Sequence, residues 1–255
     1  MIDGVKKMAK DMSVKVLRQE LVANNLANVN TPGFKVQRAF SSVLRKSIGS
    51  DASAKAVGAG DAGAISEARA EEGQLETGIY TCFEQGRIEY THRDLDVAID
   101  GEGFFVVDTP LGERFTRSGS FTLTDAGLLS TYGGNLVMGA GGPISIQGGQ
   151  VEVTADGRVI VDGEEADTLK VVAFSDPAGL DRQGNTFGSA TGAYHEVDFS
   201  ETQLVQGALE RSNVNPIDEM VEMMALHRGF ESNQRSIRLQ IDASKKLMER
   251  VGDLD

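Results

Sequence analysis

Leu95-Asp96-Val97-Ala98-Ile99-Asp100-Gly101-Glu102-Gly103-Phe104-Phe105-Val106-Val107 is the stretch on which the fold reading rests. Leu95, Val97 and Ile99 alternate with other residues up to Asp100-Gly101, and a short apolar run follows. Asp-Gly between two such runs is a hairpin signal. The same pattern continues downstream. A turn near Pro110-Leu111-Gly112 precedes Arg114-Phe115-Thr116, and Phe121-Thr122-Leu123 passes through Asp125-Ala126-Gly127 to Leu128-Leu129-Ser130. Residues 150–154 meet Asp156-Gly157, residues 158–161 meet Asp162-Gly163, and residues 169–174 read as a further strand. Short strands with turn signals every ~8–12 residues predict an antiparallel barrel or sandwich. Residues 182–194 read as a long loop.

Outward from this centre the period changes from two to that of a helix. Ile2, Val5, Ala9, Met12, Val16, Gln19, Ala23 and Leu26 step by three and four, and seven of these eight are apolar. That is the seam of a coiled coil, with Val14, Leu17 and Leu21 widening it. The helix is predicted to end in Asn28-Val29-Asn30-Thr31-Pro32-Gly33, where Pro32 disfavours a helical Thr31 and Gly33 permits positive φ. At the other end Asn215 is an N-cap, with Pro216 at the first helical position and Asp218 in the first turn. Met220, Met223, His227, Phe230, Gln234, Ile237, Ile241, Ser244, Met248 and Val251 then step by three and four without a break. A helix of roughly 35 residues spans ~50 Å, and a seam that long needs a partner. Two arrangements fit: the helices lie on the sheet of one α+β domain, or they pair with each other and with other chains. The fold class expected is α+β, with long N- and C-terminal helices pairing as a coiled coil and an inserted, mainly antiparallel β-domain.

Composition separates the ends from the middle. The chain has 255 residues and a net charge of −13, yet residues 1–46 carry nine Lys/Arg against three Asp/Glu, while residues 47–210 carry nine against 27. Twenty-six of the 30 glycines also fall in the middle segment. The acidity argues against nucleic acid as a partner, because phosphates need a basic face. No apolar run reaches the ~18 residues of a membrane span, so no membrane insertion is expected. The first 19 residues, with lysines throughout, lack the apolar core of a secretory signal. Screening by salt is expected to ease repulsion between the acidic middle segments.

Chemistry is sparse. Cys82 is the one cysteine, so no internal disulfide forms. His92, His195 and His227 have no second His or Cys at ligand spacing, and His227 sits in the helical seam as a packing or interface residue. Gly101-Glu102-Gly103 lacks the third glycine of a dinucleotide fingerprint and precedes a strand. Asp94, Asp96 and Asp100 do not have calcium-loop spacing. Without a catalytic signature the chain is expected not to be an enzyme and to bind no cofactor or metal. A soluble β-domain that binds a ligand is the alternative from another class, although aromatics are only 6% and Trp is absent.

Four blocks carry a family resemblance. Ala23-Asn24-Asn25-Leu26-Ala27-Asn28-Val29-Asn30-Thr31-Pro32-Gly33-Phe34-Lys35 resembles the N-terminal signature of bacterial flagellar rod and hook axial proteins. Residues 95–105 resemble that family's "LD(L/V)AIxGxGFF" strand, and residues 115–127 its "YTRxGxFxxxxxG" continuation. Residues 207–215, with Ser212, Asn213 and Val214, match "GxLExSNVN" before the last helix. The blocks occur in the family's order. Length points to the FlgF/FlgG rod type rather than the longer hook protein. The wording of residues 86–96 leans to the FlgF, proximal-rod type, and Phe174 with residues 176–180 to the FlgG type. A distal rod or other axial protein is the alternative within the family.

The resemblance implies a structural subunit of the basal-body rod, the hollow drive shaft that transmits torque and forms part of the export channel. It implies copies of itself and other rod subunits as partners, delivery by the flagellar export apparatus, and a location in the periplasm-spanning rod. Residues 1–34 and 212–255 would form the axial coiled coil, 35–80 an extended connector, and 81–211 the β-rich outer domain. Ile2, Val5, Met12, Val16 and Leu26 would face Met220, Met223, His227, Phe230, Ile237, Ile241 and Met248 in the subunit interface. Asn24, Asn25 and Asn28 have two readings, as local caps of the helix end or as groups that fix register against a neighbour. Phe34 is expected in a pocket formed with an adjacent chain or with the β-domain.

Overall fold

The computed structural model describes residues 2–44, 74–189 and 193–252. Its architecture is α+β. Helix α1 spans Ile2–Ala27 and helix α2 spans Pro216–Gly252. Both inner boundaries follow from local chemistry. Asn28 Nδ2 donates back to Asn24 O at 2.9 Å, and Thr31 Oγ1 donates to Asn28 Oδ1 at 3.0 Å, which closes α1. Gly33 then adopts φ +67°, and a Cβ there would collide with the backbone of Arg117 and Ser118. At α2, Asn215 Oδ1 accepts from Ile217 N at 3.1 Å, and Asp218 and Glu219 occupy the first turn. The 37 residues of α2 reach about 55 Å. The helices lie side by side, and Lys15 Nζ donates to Gly229 O at 3.3 Å. No helix among the described residues is long and apolar enough to cross a membrane.

Strands β1 (Gln37–Leu44) and β2 (Gln74–Thr81) pair antiparallel, Gln37 opposite Thr81 through Leu44 opposite Gln74. They take up the two ends of the stretch expected as an extended connector, and β1 packs on α1. The low-complexity residues 45–73 lie outside the described residues. The rest of the chain supplies β3 (Ile88–Tyr90), β4 (Val97–Asp100), β5 (Phe104–Thr109), β6 (Gly112–Thr116), β7 (Phe121–Leu123), β8 (Leu129–Thr131) and β9 (Leu136–Val137). It continues with β10 (Val151–Val153), β11 (Arg158–Val161), β12 (Glu164–Thr168), β13 (Val171–Ala173), β14 (Leu180–Gln183), β15 (Thr186–Ser189), β16 (His195–Glu196), β17 (Gln203–Gln206) and β18 (Ala208–Glu210).

The main sheet runs β14-β15-β6-β5-β9-β8-β7, with β13 and β16 branching from β5. Strand β5 explains why the sequence here does not alternate. Phe105 and Val107 enter one core with Ile99, Phe121 and Leu169, while Phe104 and Val106 enter a second with Phe115, Phe174 and Phe187. A strand buried on both faces carries apolar residues continuously. The return strands β17 and β18 pair with β4 and β3 and lead the chain back to α2.

Residues 182–194 are not the long loop expected. Strands β14 and β15 form a hairpin, Gln183 opposite Thr186, turning at Gly184 with φ +62°. Phe187 is fully buried opposite Phe115 and pins that hairpin to the second core.

Candidate assembly face and the joint behind it

The terminal helices divide their apolar residues between a covered and an open side. On α2, Met223, Phe230 and Ile237 are half-buried, whereas Met220 is 51% exposed, Ile241 51% exposed, and His227 exposed. The reason is geometric. Residues seven apart share one stripe, so Met223, Phe230 and Ile237 form one stripe and Met220, His227 and Ile241 the next. A single neighbouring helix covers one of the two. On α1, Met12 and Leu26 are half-buried and Val16 is 39% exposed. Among the described residues of α1 the most buried are Leu21, which widens the predicted seam, and its neighbours Val22 and Asn25. Ile2, Val5 and Met248 lie on the helices, but their side chains fall outside the described residues. His227 Nε2 lies 3.9 Å from the exposed Glu231 carboxylate one turn on.

Asn25 works inside the chain. It accepts from Gln37 N at 3.0 Å, donates to Gln37 O at 2.9 Å, and donates to Glu219 Oε2 at 3.1 Å. One side chain thus ties α1 to the start of β1 and to the first turn of α2. Buried Glu219 also meets Arg38 at 3.5 Å. Asn28 is a local cap, Asn24 and Ala27 are exposed, and Ser212 Oγ accepts from Val214 N at 3.3 Å.

Phe34 packs within its own chain, among Val36, Val214, Val29 and Cys82. The Arg182 guanidinium of β14 lies 4.1 Å from its ring centroid, and Arg182 Nη1 donates to Lys35 O at 2.6 Å. Burial pushes Arg182 down to about 10. Asn213 closes the far side: Oδ1 accepts from Val36 N at 2.8 Å, and Nδ2 donates to Cys82 O and Glu84 O, each at 3.0 Å.

Beneath Phe34 lies a buried ionic joint. Lys35 Nζ donates to Glu210 Oε1 at 2.6 Å and to Glu84 O at 2.7 Å. Gly86 N donates to the same carboxylate oxygen at 2.8 Å. Arg117 Nη1 stands 3.6 Å from Glu210 Oε2 and donates to Gly101 O at 2.9 Å. The three side chains are 0%, 1% and 5% exposed for Lys35, Glu210 and Arg117. Burial holds the Lys35 ammonium below its ordinary range against the pull of Glu210, and burial lowers Arg117 too. Such a cluster fixes geometry, because a buried charge without its partner is costly.

Sequence reasoning did not single out Lys35, Arg117 and Glu210. Their signal was present, since each is a charge set inside one of the four resemblance blocks. Among the described residues no group of three or more His, Cys, Asp or Glu is placed to hold a metal ion.

Comparison with known proteins matches the same three regions. The family described as "Flagella basal body rod protein" matches residues 15–35, "Flagellar hook protein FlgE/F/G D1 domain" matches 98–161, and "Flagellar basal body rod FlgEFG protein C-terminal" matches 205–248. Each supplies one member of the joint. The chain is 34% identical over 245 residues to the flagellar basal-body rod protein FlgG of Bacillus subtilis, covering 90% of this chain and 91% of that one. It is 32% identical over 244 residues to FlgF of Caulobacter vibrioides, covering 94% of each. With that identity over nine-tenths of the chain, and with each member of the joint inside a matched family region, the chain belongs to the flagellar basal-body rod protein family of the FlgF/FlgG type.

Proposed function

We propose that the two helices of this rod subunit pair as a coiled coil and meet those of neighbouring copies, lining a hollow shaft whose outer layer is the β-domain. Membership of the family makes the chain a structural, non-enzymatic component of the basal-body rod. The observation that supports the finer arrangement is the open side of α2. Ile217, Met220, Val221 and Met224 recur at i, i+3, i+4 and i+7 and are 70%, 51%, 57% and 54% exposed. This stripe stands on a helix that already has α1 as a neighbour, and contiguous exposed apolar surface marks an interaction site. A contact between unlike patches, repeated by rotation and rise, builds an open filament.

In this reading residues 1–34 and 212–255 are axial, 35–80 connect and 81–211 lie outside. Predicted seam residues left open, Val16, Met220, His227 and Ile241, meet other subunits. Delivery through the flagellar export apparatus belongs to the same proposal, as does a proximal position, which rests on the wording of residues 86–96. Met220→Glu with Ile241→Glu tests the arrangement. Circular dichroism and thermal melting of the monomer should match wild type, while rod formation and motility are lost. Motile cells carrying both changes would refute it. Labelling the subunit in isolated basal bodies tests its position along the rod.

A further inference from the structure

A cleft of about 880 Å³ separates the loop after α1 from the turns of the main sheet. Thr31, Pro32 and Leu209 form one wall, and the turns after β5, β8 and β14 form the others. Its charge is out of character with its surroundings. Residues 47–210 are three-to-one acidic, yet the cleft is lined by Arg93 and Arg114 and by no Asp or Glu. Arg114 Nη1 is buried with no hydrogen-bond partner among the described residues. Arg93 is 53% exposed, donates to Tyr132 OH at 2.6 Å, and stands 3.9 Å from Asp96. The rim is apolar, with Leu111 69% and Tyr132 65% exposed. Guanidinium groups beside apolar surface suit a segment that carries carboxylates, because charge-assisted hydrogen bonds are strongest there.

The chain itself carries such a segment. Strands β11 and β12 meet at Asp162-Gly163-Glu164-Glu165-Ala166, five consecutive exposed residues. Residues 151–168 hold six acidic side chains and one basic one. This hairpin belongs to the separate β10-β11-β12 sheet, and none of its residues lines the cleft of its own chain. We infer that the cleft receives the β11–β12 tip of a second copy, Glu164 and Glu165 meeting Arg93 and Arg114. Charge complementarity selects this occupant, and the contact joins unlike patches, as an open filament requires. The inference rests on the rod-subunit reading and adds a lateral contact in the outer layer. Because Thr31 and Pro32 line the cleft, an occupant would also hold the α1 loop against the β-domain.

A charge swap tests it, read as the critical concentration for polymerisation of the full chain. Arg93→Glu with Arg114→Glu should raise that concentration at least ~10-fold, and Glu164→Arg with Glu165→Arg should do the same. The four changes combined should bring it back towards wild type. Where the cleft variant melts below wild type, the tip variant alone decides, since its residues are solvent-exposed. A tip variant that polymerises like wild type overturns the inference, as does a combined variant no better than either parent. If wild-type chain polymerises while the tip variant does too, only the cleft contact falls. If wild type forms no polymer alone or on rod fragments, the assembly reading falls with it.

Discussion

Replacing Glu210 by Gln removes one charge from the ionic joint and changes almost nothing in volume. The wild-type carboxylate holds Lys35 at 2.6 Å and the Gly86 amide at 2.8 Å through one oxygen, and faces Arg117 at 3.6 Å with the other. Gln keeps an acceptor for one of these donors and leaves two buried cations without a counter-charge. Breaking a buried ion pair from one side costs ~3–5 kcal/mol, and the retained acceptor puts Glu210→Gln at about 3 kcal/mol. For a chain of this size that lowers the melting temperature by about 6–12 °C. Urea denaturation at pH 7, followed by circular dichroism, measures the free-energy loss, and thermal melting measures the shift. Adding Lys35→Met should recover part of the loss, because the uncompensated ammonium is its main source. The pH dependence has a definite sign. Lys35 titrates below its ordinary 10.5 in the folded chain, chiefly through burial, and Glu210 opposes that lowering. Without Glu210 it falls further. A group whose folded pKa is lowered destabilises the fold at low pH, and that penalty fades as pH rises towards the unfolded value. The deficit of Glu210→Gln should therefore shrink between neutral pH and about pH 10. A variant as stable as wild type at pH 7, or a deficit constant to pH 10, would refute this account of the joint.

Other substitutions probe neighbouring parts. Asn25→Ala strands the Gln37 amide and carbonyl and leaves Glu219 without its Asn donor; a loss of about 2–3 kcal/mol in denaturant titration is expected. Phe34→Ala empties a buried site and removes the ring under Arg182, so monomer stability should fall by about 3–4 kcal/mol in the same titration. Gly33→Ala combines φ +67° with a clash against Arg117 and Ser118; thermal melting should show a larger loss than the ~1 kcal/mol typical of a strained glycine site. In each case the isolated subunit reports the effect, since all three residues act within one chain.

What could be read in the sequence was whatever local pattern determines. Asn215-Pro216 starts α2 and Asn28 to Gly33 ends α1, because caps and proline act on their immediate neighbours. The period-two stretches became strands for the same reason. The β14–β15 hairpin was missed because its second strand carries one large apolar residue, Phe187, and one residue shows no period. Pairing of β1 with β2 crosses the 29 residues from 45 to 73, so no turn signal announces it. The seam told which residues are apolar but not which of two stripes α1 covers. Asn25 reads equally as a cap or as a register group against a neighbour, and nothing local sets Lys35 or Glu210 apart from the chain's other charges. Only the tertiary fold brings residues 175 positions apart into contact at 2.6 Å.

That separation sets an order of events for a chain that emerges from one end. Lys35 is paired only when Glu210 arrives, and Val36 finds its Asn213 partner three residues later still. Strand β3 likewise waits for β18, and β4 for β17. Contacts of such long range form late and slowly. Whichever terminus appears first, a partly made chain holds α1 or α2 without the other and without a closed joint. Side-by-side helices and the buried joint are thus completed only by the final fifth of the sequence, which makes the whole chain, not its first half, the unit that reaches the folded shape.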